Sequence, residues 1–315
     1  DKAHKELQKI CTANIKNEVG KCIYTHMLNP DGGIETDLTV VCIEKDHFRI
    51  ISSAATRERD KFHIKKYLAK DIELKDVTDD FCVFGVFGPK SRALMKSISK
   101  DNFENDEFRF GTAKYISIEG IKIWTQRLSY VGELGFELYV RSKDAKKIYE
   151  LLIDKGKDFN LSNCGMHAMD IMRMESGFLH WGHDISPEEN QYQAGLSFTI
   201  SSKKEDEFIG KKALEKIKKE KIKSRFAMFT LKDSKPGEPL LLHDEPIYLE
   251  NNIIGRSTSG NYSFNFKKNL AFGYINNDIS NDELNKKDLF IEVEKKKYPI
   301  DLIIKPLKQT NFKNN

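Results

Sequence analysis

Asp37 stands where a strand-like run begins, directly after a turn rich in Pro and Gly, and a carboxylate so placed can hold or move a proton. The stretch reads Tyr24-Thr25-His26-Met27-Leu28-Asn29-Pro30-Asp31-Gly32-Gly33-Ile34-Glu35-Thr36-Asp37 and continues into Leu38-Thr39-Val40-Val41-Cys42-Ile43-Glu44. Pro30 fixes φ and the two glycines accept φ > 0, so strand, tight turn and strand are expected. Period-two alternation puts Leu38, Val40 and Cys42 on one face and Asp37, Thr39 and Val41 on the other. The glycines also let a ligand come close to the backbone beside Asp37. Against this stands the plainer reading of Asp37 as a solvated residue closing a turn, the usual place for Asp.

Other chemistry-bearing residues are fewer. Ser129-Tyr130-Val131-Gly132-Glu133-Leu134-Gly135-Phe136-Glu137 is a glycine-rich loop entering a strand. Alternation sets Phe136, Leu138 and Val140 against Glu137 and Tyr139, and by that pattern alone Glu137 reads as an exposed strand residue. Gly132 and Gly135 lack the Gly-x-Gly-x-x-Gly spacing of a dinucleotide site, and there is no Walker loop. His180-Trp181-Gly182-His183-Asp184 raises a metal hypothesis, but its spacing is no recognised ligand frame, and a loop packed by Trp181 is the better reading. Asp170 and Arg173 stand three apart, as in a helix-face ion pair worth a few tenths of a kcal/mol.

The composition excludes several classes. A net charge of +4 from 52 basic and 48 acidic residues is small, and the lysines alternate with acids, as in Glu215-Lys216-Ile217-Lys218-Lys219-Glu220. That is a solvated helix face, not a nucleic-acid footprint. Five cysteines, Cys11, Cys22, Cys42, Cys82 and Cys164, form no Cys-x-x-Cys or His/Cys cluster, which fits a reduced, cytoplasmic chain. No apolar run approaches 18 residues, so no membrane partner is expected. The chain opens on Asp1 and runs at once into helical sequence, so an N-terminal segment is expected to be missing.

The elements that would position these residues come in mixed order. Helices are expected over 3–15, 57–68, 89–98, 144–155 and 165–177, with Phe62, Ile64, Tyr67 and Leu68 as the apolar face of the second. Pro89 would open the third, and Met166, Met169, Met172 and Met174 would fill core in the last. Strands are expected over 48–52, 81–87, 113–118 and 121–126, the run Phe81-Cys82-Val83-Phe84-Gly85-Val86-Phe87 being apolar throughout as if buried on both faces. After a charged joint at 203–207 and a short helix from 208, only strand-like segments follow, at 226–231, 246–249, 253–257, 270–275, 289–294 and 298–304. Their spacing predicts a small antiparallel barrel or sandwich. The chain therefore divides into an α+β region over 1–205 and a β-rich domain over 206–315.

Nine blocks in order carry a resemblance. They are the segments from Cys22 to Asp37, 52–60, Phe87-Gly88-Pro89, Ser129 to Glu137, Met172-Arg173-Met174-Glu175, Trp181-Gly182-His183-Asp184, Gly195-Leu196-Ser197, 208–214, and Gly255 to Gly260. The chain resembles the glycine-cleavage T-protein (aminomethyltransferase) family over nearly its whole length. The wording around Asp37-Leu38-Thr39-Val40 and Phe178-Leu179-His180-Trp181 is similar to its folate-binding homologue at the C-terminal end of dimethylglycine and sarcosine dehydrogenases.

The resemblance implies a three-lobed, cloverleaf-like folate-binding fold with a C-terminal antiparallel β-barrel domain, and tetrahydrofolate in a central channel. It implies Asp37 as the catalytic carboxylate, Glu137 as the grip on the pterin edge, and Tyr24, Tyr130 and Trp181 as aromatic folate contacts, with no metal. The implied reaction is one-carbon transfer forming methylene-tetrahydrofolate. The carbon would come from a lipoyl carrier protein or, as an amine-derived iminium or formaldehyde, from a flavin-dependent oxidase domain. A folate-binding regulatory or assembly protein without transfer is the alternative. Two departures stand out: Met169 replaces a family Arg, and Thr36-Asp37 replaces the usual Asp-Asp pair.

Overall fold

The glycine turn at 29–33 joins two strands, β1 (Cys22–Leu28) and β2 (Ile34–Glu44), in a computed structural model that describes residues 2–204, 206–309 and 313. Of the expected joint at 203–207, Glu205 lies outside the described residues, as do 310–312, 314 and 315 of the C-terminal region. β2 pairs on its other edge with β3 (His47–Ser52), so the first sheet is antiparallel and β2 is central. Helices α1 (Lys2–Ile10) and α2 (Arg57–Tyr67) accompany it. Leu7, Ile10, Leu38, Val40 and Ile64 close a core on one face.

A second sheet has the order β4 (Phe81–Phe87), β7 (Gly135–Arg141), β6 (Ile121–Arg127), β5 (Thr112–Ile118). Phe136, Leu138 and Val140 turn to one face and pack with α3 (Ser91–Ile98) and α4 (Ala145–Gly156) through Leu94, Met95, Ile148 and Leu152. The opposite face meets the first sheet. Cys22, Val41 and Ile43 from one and Ala113, Trp124 and Tyr139 from the other form a joint apolar cluster.

The third lobe is a closed antiparallel barrel of β8 (Ser224–Leu231), β9 (Pro246–Leu249), β10 (Asn252–Ser263), β11 (Lys268–Asn276), β12 (Leu289–Val293) and β13 (Lys296–Ile303). Phe229, Leu231, Ile247, Ala271, Ile291 and Ile300 fill it. α5 (Met166–Glu175) lies on its outside, with Ile171 and Met174 against Leu270 and Phe272. α6 (Lys211–Lys219) precedes the barrel. The α+β class with a C-terminal antiparallel barrel is therefore the observed one.

Several expectations are corrected. The first helix stops at Ile10 rather than 15, because Cys11 bridges to Met27 and the Thr12 N–H donates to the His26 carbonyl at 2.9 Å. In α2 and its C-cap, Ile64, Tyr67 and Leu68 pack toward the core as expected, but Phe62 is 72% exposed, and Asp60 and His63 are buried with them. β4 is an edge strand with Val83 52% exposed, not a strand covered on both faces. Met166 is exposed, while Met174 is core. Arg173 is fully buried and binds far more than Asp170, so it is no surface ion pair. A short helix, α7 (Asn281–Lys286), went unread; Ser280 caps it by accepting from the Glu283 N–H at 3.1 Å.

Candidate active site

Register decides which side chains meet. β1 and β2 pair Cys22 with Val41, Tyr24 with Thr39 and His26 with Asp37. In an antiparallel ladder, directly opposed residues share a face, so Cys22, Tyr24, His26, Val41, Thr39 and Asp37 all turn the same way. That is the face that packs, through Cys22 and Val41, on the second sheet. There β7 and β6 pair Tyr139 with Trp124 and Glu137 with Gln126. Trp124 and Tyr139 belong to the contact, and Glu137 and Gln126 come next along the same surface. Tyr24 and Asp37 on one sheet and Glu137 on the other thus lie on the facing surfaces of the two sheets.

The β4–β7 part of this surface has an unusual construction. β4 and β7 pair Gly85 with Glu137 and Phe87 with Gly135. A Cβ on either glycine would collide with the Phe87 ring, which lies across both backbones. Only glycine leaves room for a ring to lie on the sheet there.

The groups on these facing surfaces are strongly desolvated. Tyr24 keeps 40% of its surface accessible, yet burial pushes its phenol well above the usual range, with the Asp37 charge adding to the effect. Asp37 has 18% of its side chain accessible, and burial raises its carboxyl to about 7, against an opposing hydrogen bond from Tyr24 and with help from Asp60. Asp37 Oδ1 has no hydrogen-bond partner among the described residues. Burial also raises Glu137, whose Oε2 accepts from the Tyr139 hydroxyl at 3.1 Å. Both ends of the Gln126 amide, fully buried opposite Glu137, are unpartnered among the described residues.

Tyr130 closes in from the loop after β6. Its hydroxyl donates to the Leu179 carbonyl at 3.1 Å and its ring stacks on Phe178. Burial raises its phenol, and the Asp37 charge is among the smaller causes. Trp181 is held differently: its Nε1–H donates to the Ile34 carbonyl at 3.0 Å, Arg59 lies over its ring at 4.5 Å, and it packs with Leu28 and Ile185. None of these contacts ties Trp181 to Asp37.

Asp184 belongs to structure as well. It accepts from Arg173, from Thr258 at 2.6 Å and Ser259 at 2.8 Å on β10, and from the His180 N–H at 3.0 Å. Its oxygens are engaged, and among the described residues no group of three His, Cys, Asp or Glu side chains could hold a metal ion.

Sequence reasoning missed His26, Gln126 and Asp60. His26 shares the face of Tyr24 by period two, a signal present in the sequence, but only the strand register sets it opposite Asp37.

Aromatic rings at Tyr24, Phe87 and Tyr130, with buried polar atoms at Asp37 and Gln126 that lack partners among the described residues, are groups a flat, polar-edged ligand could use. Comparison with known proteins agrees in kind. The GCVT N-terminal domain matches residues 1–204, and the glycine cleavage T-protein C-terminal barrel domain matches 225–308. The chain is 32% identical over 307 residues to human mitochondrial dimethylglycine dehydrogenase, covering 96% of this chain and 35% of that one. It is 31% identical over 278 residues to the aminomethyltransferase of Halothermothrix orenii, covering 88% and 76%. The crystal structure of glycine cleavage system aminomethyltransferase T from Bartonella henselae superimposes with a TM-score of 0.84 at 21% identity, over 98% of this chain and 82% of that one. The chain spans about a third of the length of the dimethylglycine dehydrogenases it matches.

Proposed function

We propose, from the premise that this chain belongs to the glycine cleavage T-protein (aminomethyltransferase) family of transferases, that it carries out tetrahydrofolate-dependent one-carbon transfer yielding methylene-tetrahydrofolate. The observation that supports this most is that Asp37 and Glu137 lie on the facing surfaces of two packed sheets, with Asp37 Oδ1 and the Gln126 amide lacking partners among the described residues. Bound tetrahydrofolate would supply the ring nitrogens that take up the one-carbon unit. Glu137 would grip the amino-pyrimidine edge by charge-assisted hydrogen bonds, and Tyr24 and Tyr130 would wall the flat ring. Trp181 belongs to the proposed folate contacts as well; its ties in the structure are to the Ile34 carbonyl and Arg59.

Asp37 would orient the amine, stabilise the positive charge that develops on it, and exchange a proton with the amine or the leaving group. A carboxyl raised to about 7 exists in both forms near neutrality, which suits it to take and return a proton. Two donors fit: an aminomethyl group on a lipoyl carrier protein, or an amine-derived iminium or formaldehyde from a flavin-dependent oxidase. The first follows the relatives named aminomethyltransferase, the second those named dimethylglycine dehydrogenase. In this reading residues 1–205 form the folate-binding region and 206–315 the barrel that closes it. A cytoplasmic location without nucleic-acid or membrane partners is part of the proposal; among the described residues no helix is long and apolar enough to cross a membrane.

The test supplies tetrahydrofolate with formaldehyde, or with carrier charged with an aminomethyl group, and measures methylene-tetrahydrofolate. Turnover with one donor identifies it. Folate binding without turnover on either donor would replace this reading with that of a regulatory or assembly protein.

A further inference from the structure

His26 is completely buried, and the hydrogen bonds around it determine where its proton sits. Nδ1 is 3.1 Å from Thr199 Oγ1 and 3.1 Å from Gln191 Nε2. The Thr199 hydroxyl donates its single hydrogen to the Leu196 carbonyl at 2.6 Å, so its oxygen can only accept from the ring. Gln191 has two amide hydrogens, and its two shortest contacts are Thr199 Oγ1 at 2.6 Å and Thr12 Oγ1 at 3.0 Å. Thr12 donates onward to the Thr199 carbonyl at 3.2 Å and is free to accept. Nothing on this side offers Nδ1 a hydrogen that is not already placed.

With the hydrogen on Nδ1, Nε2 carries a lone pair. It lies 3.2 Å from the Tyr24 hydroxyl and 3.5 Å from Asp37 Oδ1, an oxygen with no hydrogen-bond partner among the described residues. A lone pair facing a carboxylate oxygen repels it, whereas the same lone pair accepts from a carboxylic acid. We propose that His26 is a positioning residue for Asp37: held as the Nδ1–H tautomer by Thr199, it presents a hydrogen-bond acceptor to Asp37 Oδ1 and keeps that carboxyl in its proton-bearing form until the reaction calls on it. The inference rests on the transfer chemistry proposed above for Asp37.

The surroundings agree. Burial drives the imidazole down to about 3, so the ring is neutral and Nε2 stays an acceptor. The groups facing Asp37 are Tyr24 and His26 from β1, Asp60 from α2 and Tyr130 from the loop after β6. The Asp60 charge opposes ionisation of Asp37 in the same sense. The cations of the neighbourhood are engaged elsewhere, Arg59 with Glu35 and Arg173 with Asp170 and Asp184.

Two measurements on the full chain test this, neither requiring turnover. The ¹⁵N shifts of the His26 ring should show a protonated Nδ1 and a bare Nε2; a protonated Nε2 would overturn the proposal without any variant. A ¹³C titration of the Asp37 carboxyl, identified by its loss in Asp37→Asn, should then move down by about one pH unit or more in His26→Gln, whose amide can turn a donor toward Oδ1. Thr199→Val should shift it the same way, since the ring loses the anchor that fixes its tautomer. An unchanged titration in both folded variants would make His26 a packing residue only. Failure of the folate assay with these titrations intact would count against the transfer reading and leave the proton arrangement standing.

Discussion

A carboxyl held near 7 has consequences that extend beyond catalysis. Asp37 titrates from 3.8 in the unfolded reference to about 7 in the folded chain, mainly through burial. Between those values the folded state binds the extra proton. Asp37 therefore favours folding fully below about pH 4, and that contribution is gone once the pH has risen through 7. The ceiling is roughly 4 kcal/mol, from ~3 pKa units at 1.36 kcal/mol each. Asp37→Asn, with no charge to bury, should gain stability relative to the parent as pH rises from 5 to 8, read by urea denaturation at each pH. A constant difference would show that Asp37 is not desolvated. The same variant should keep folate binding and lose roughly 10²–10⁴-fold in turnover, the usual worth of a positioned acid or base. Glu137→Ala should instead act on affinity, weakening tetrahydrofolate binding by about 1–3 kcal/mol in calorimetry, the scale of a buried polar group left unmatched. Equal affinity in that variant would remove Glu137 from the pterin contact.

Strands β4 and β7 owe their local packing to what they lack. Gly85 and Gly135 leave a shelf on which Phe87 lies beside Glu137, and a methyl group on either would strike that ring. Gly135→Ala should therefore destabilise the fold by about 1–3 kcal/mol, the range for overpacking, and weaken folate binding by displacing the ring. Shortening the obstacle in the double variant Gly135→Ala/Phe87→Leu should recover stability without recovering binding. A stable, fully binding Gly135→Ala protein would show that the shelf is not needed. In the same second sheet, the alternation of Phe136, Leu138 and Val140 against Glu137 and Tyr139 was readable from the sequence, and so was the strand itself. That Glu137 faces a second sheet instead of water was not, because period-two patterns identify two faces but not what covers them.

Across the whole molecule, one buried cation ties the barrel to the rest. Arg173 on α5 donates to Asp170 at 2.9 Å, to Ser259 on β10 at 2.8 Å, to the Phe178 carbonyl at 3.1 Å and to Asp184. Thr258 and Ser259 reach Asp184 from the barrel as well. Removing the guanidinium would leave Asp184 buried without its counter-charge, so Arg173→Ala should cost about 3–5 kcal/mol in denaturant unfolding. A loss of only a few tenths would mean the pair acts as an exposed one. On sequence spacing alone that small value is the natural expectation, since a separation of three residues says nothing of a barrel strand 86 positions away.

Local chemistry was legible in the linear chain. The glycine turn, the alternating strands, the amphipathic helices and the barrel segments follow from φ preferences and periodicity, which act between near neighbours. The ordered blocks of the T-protein family carried the candidate residues Tyr24, Asp37, Tyr130 and Glu137. What no neighbour relation could supply was the register that sets His26 opposite Asp37, the stacking of one sheet face on another, and the inward turn of Asp60 and His63 on α2. Those depend on contacts between residues far apart in the chain, and they turn an ordinary turn-closing carboxylate into one that holds its proton near neutrality.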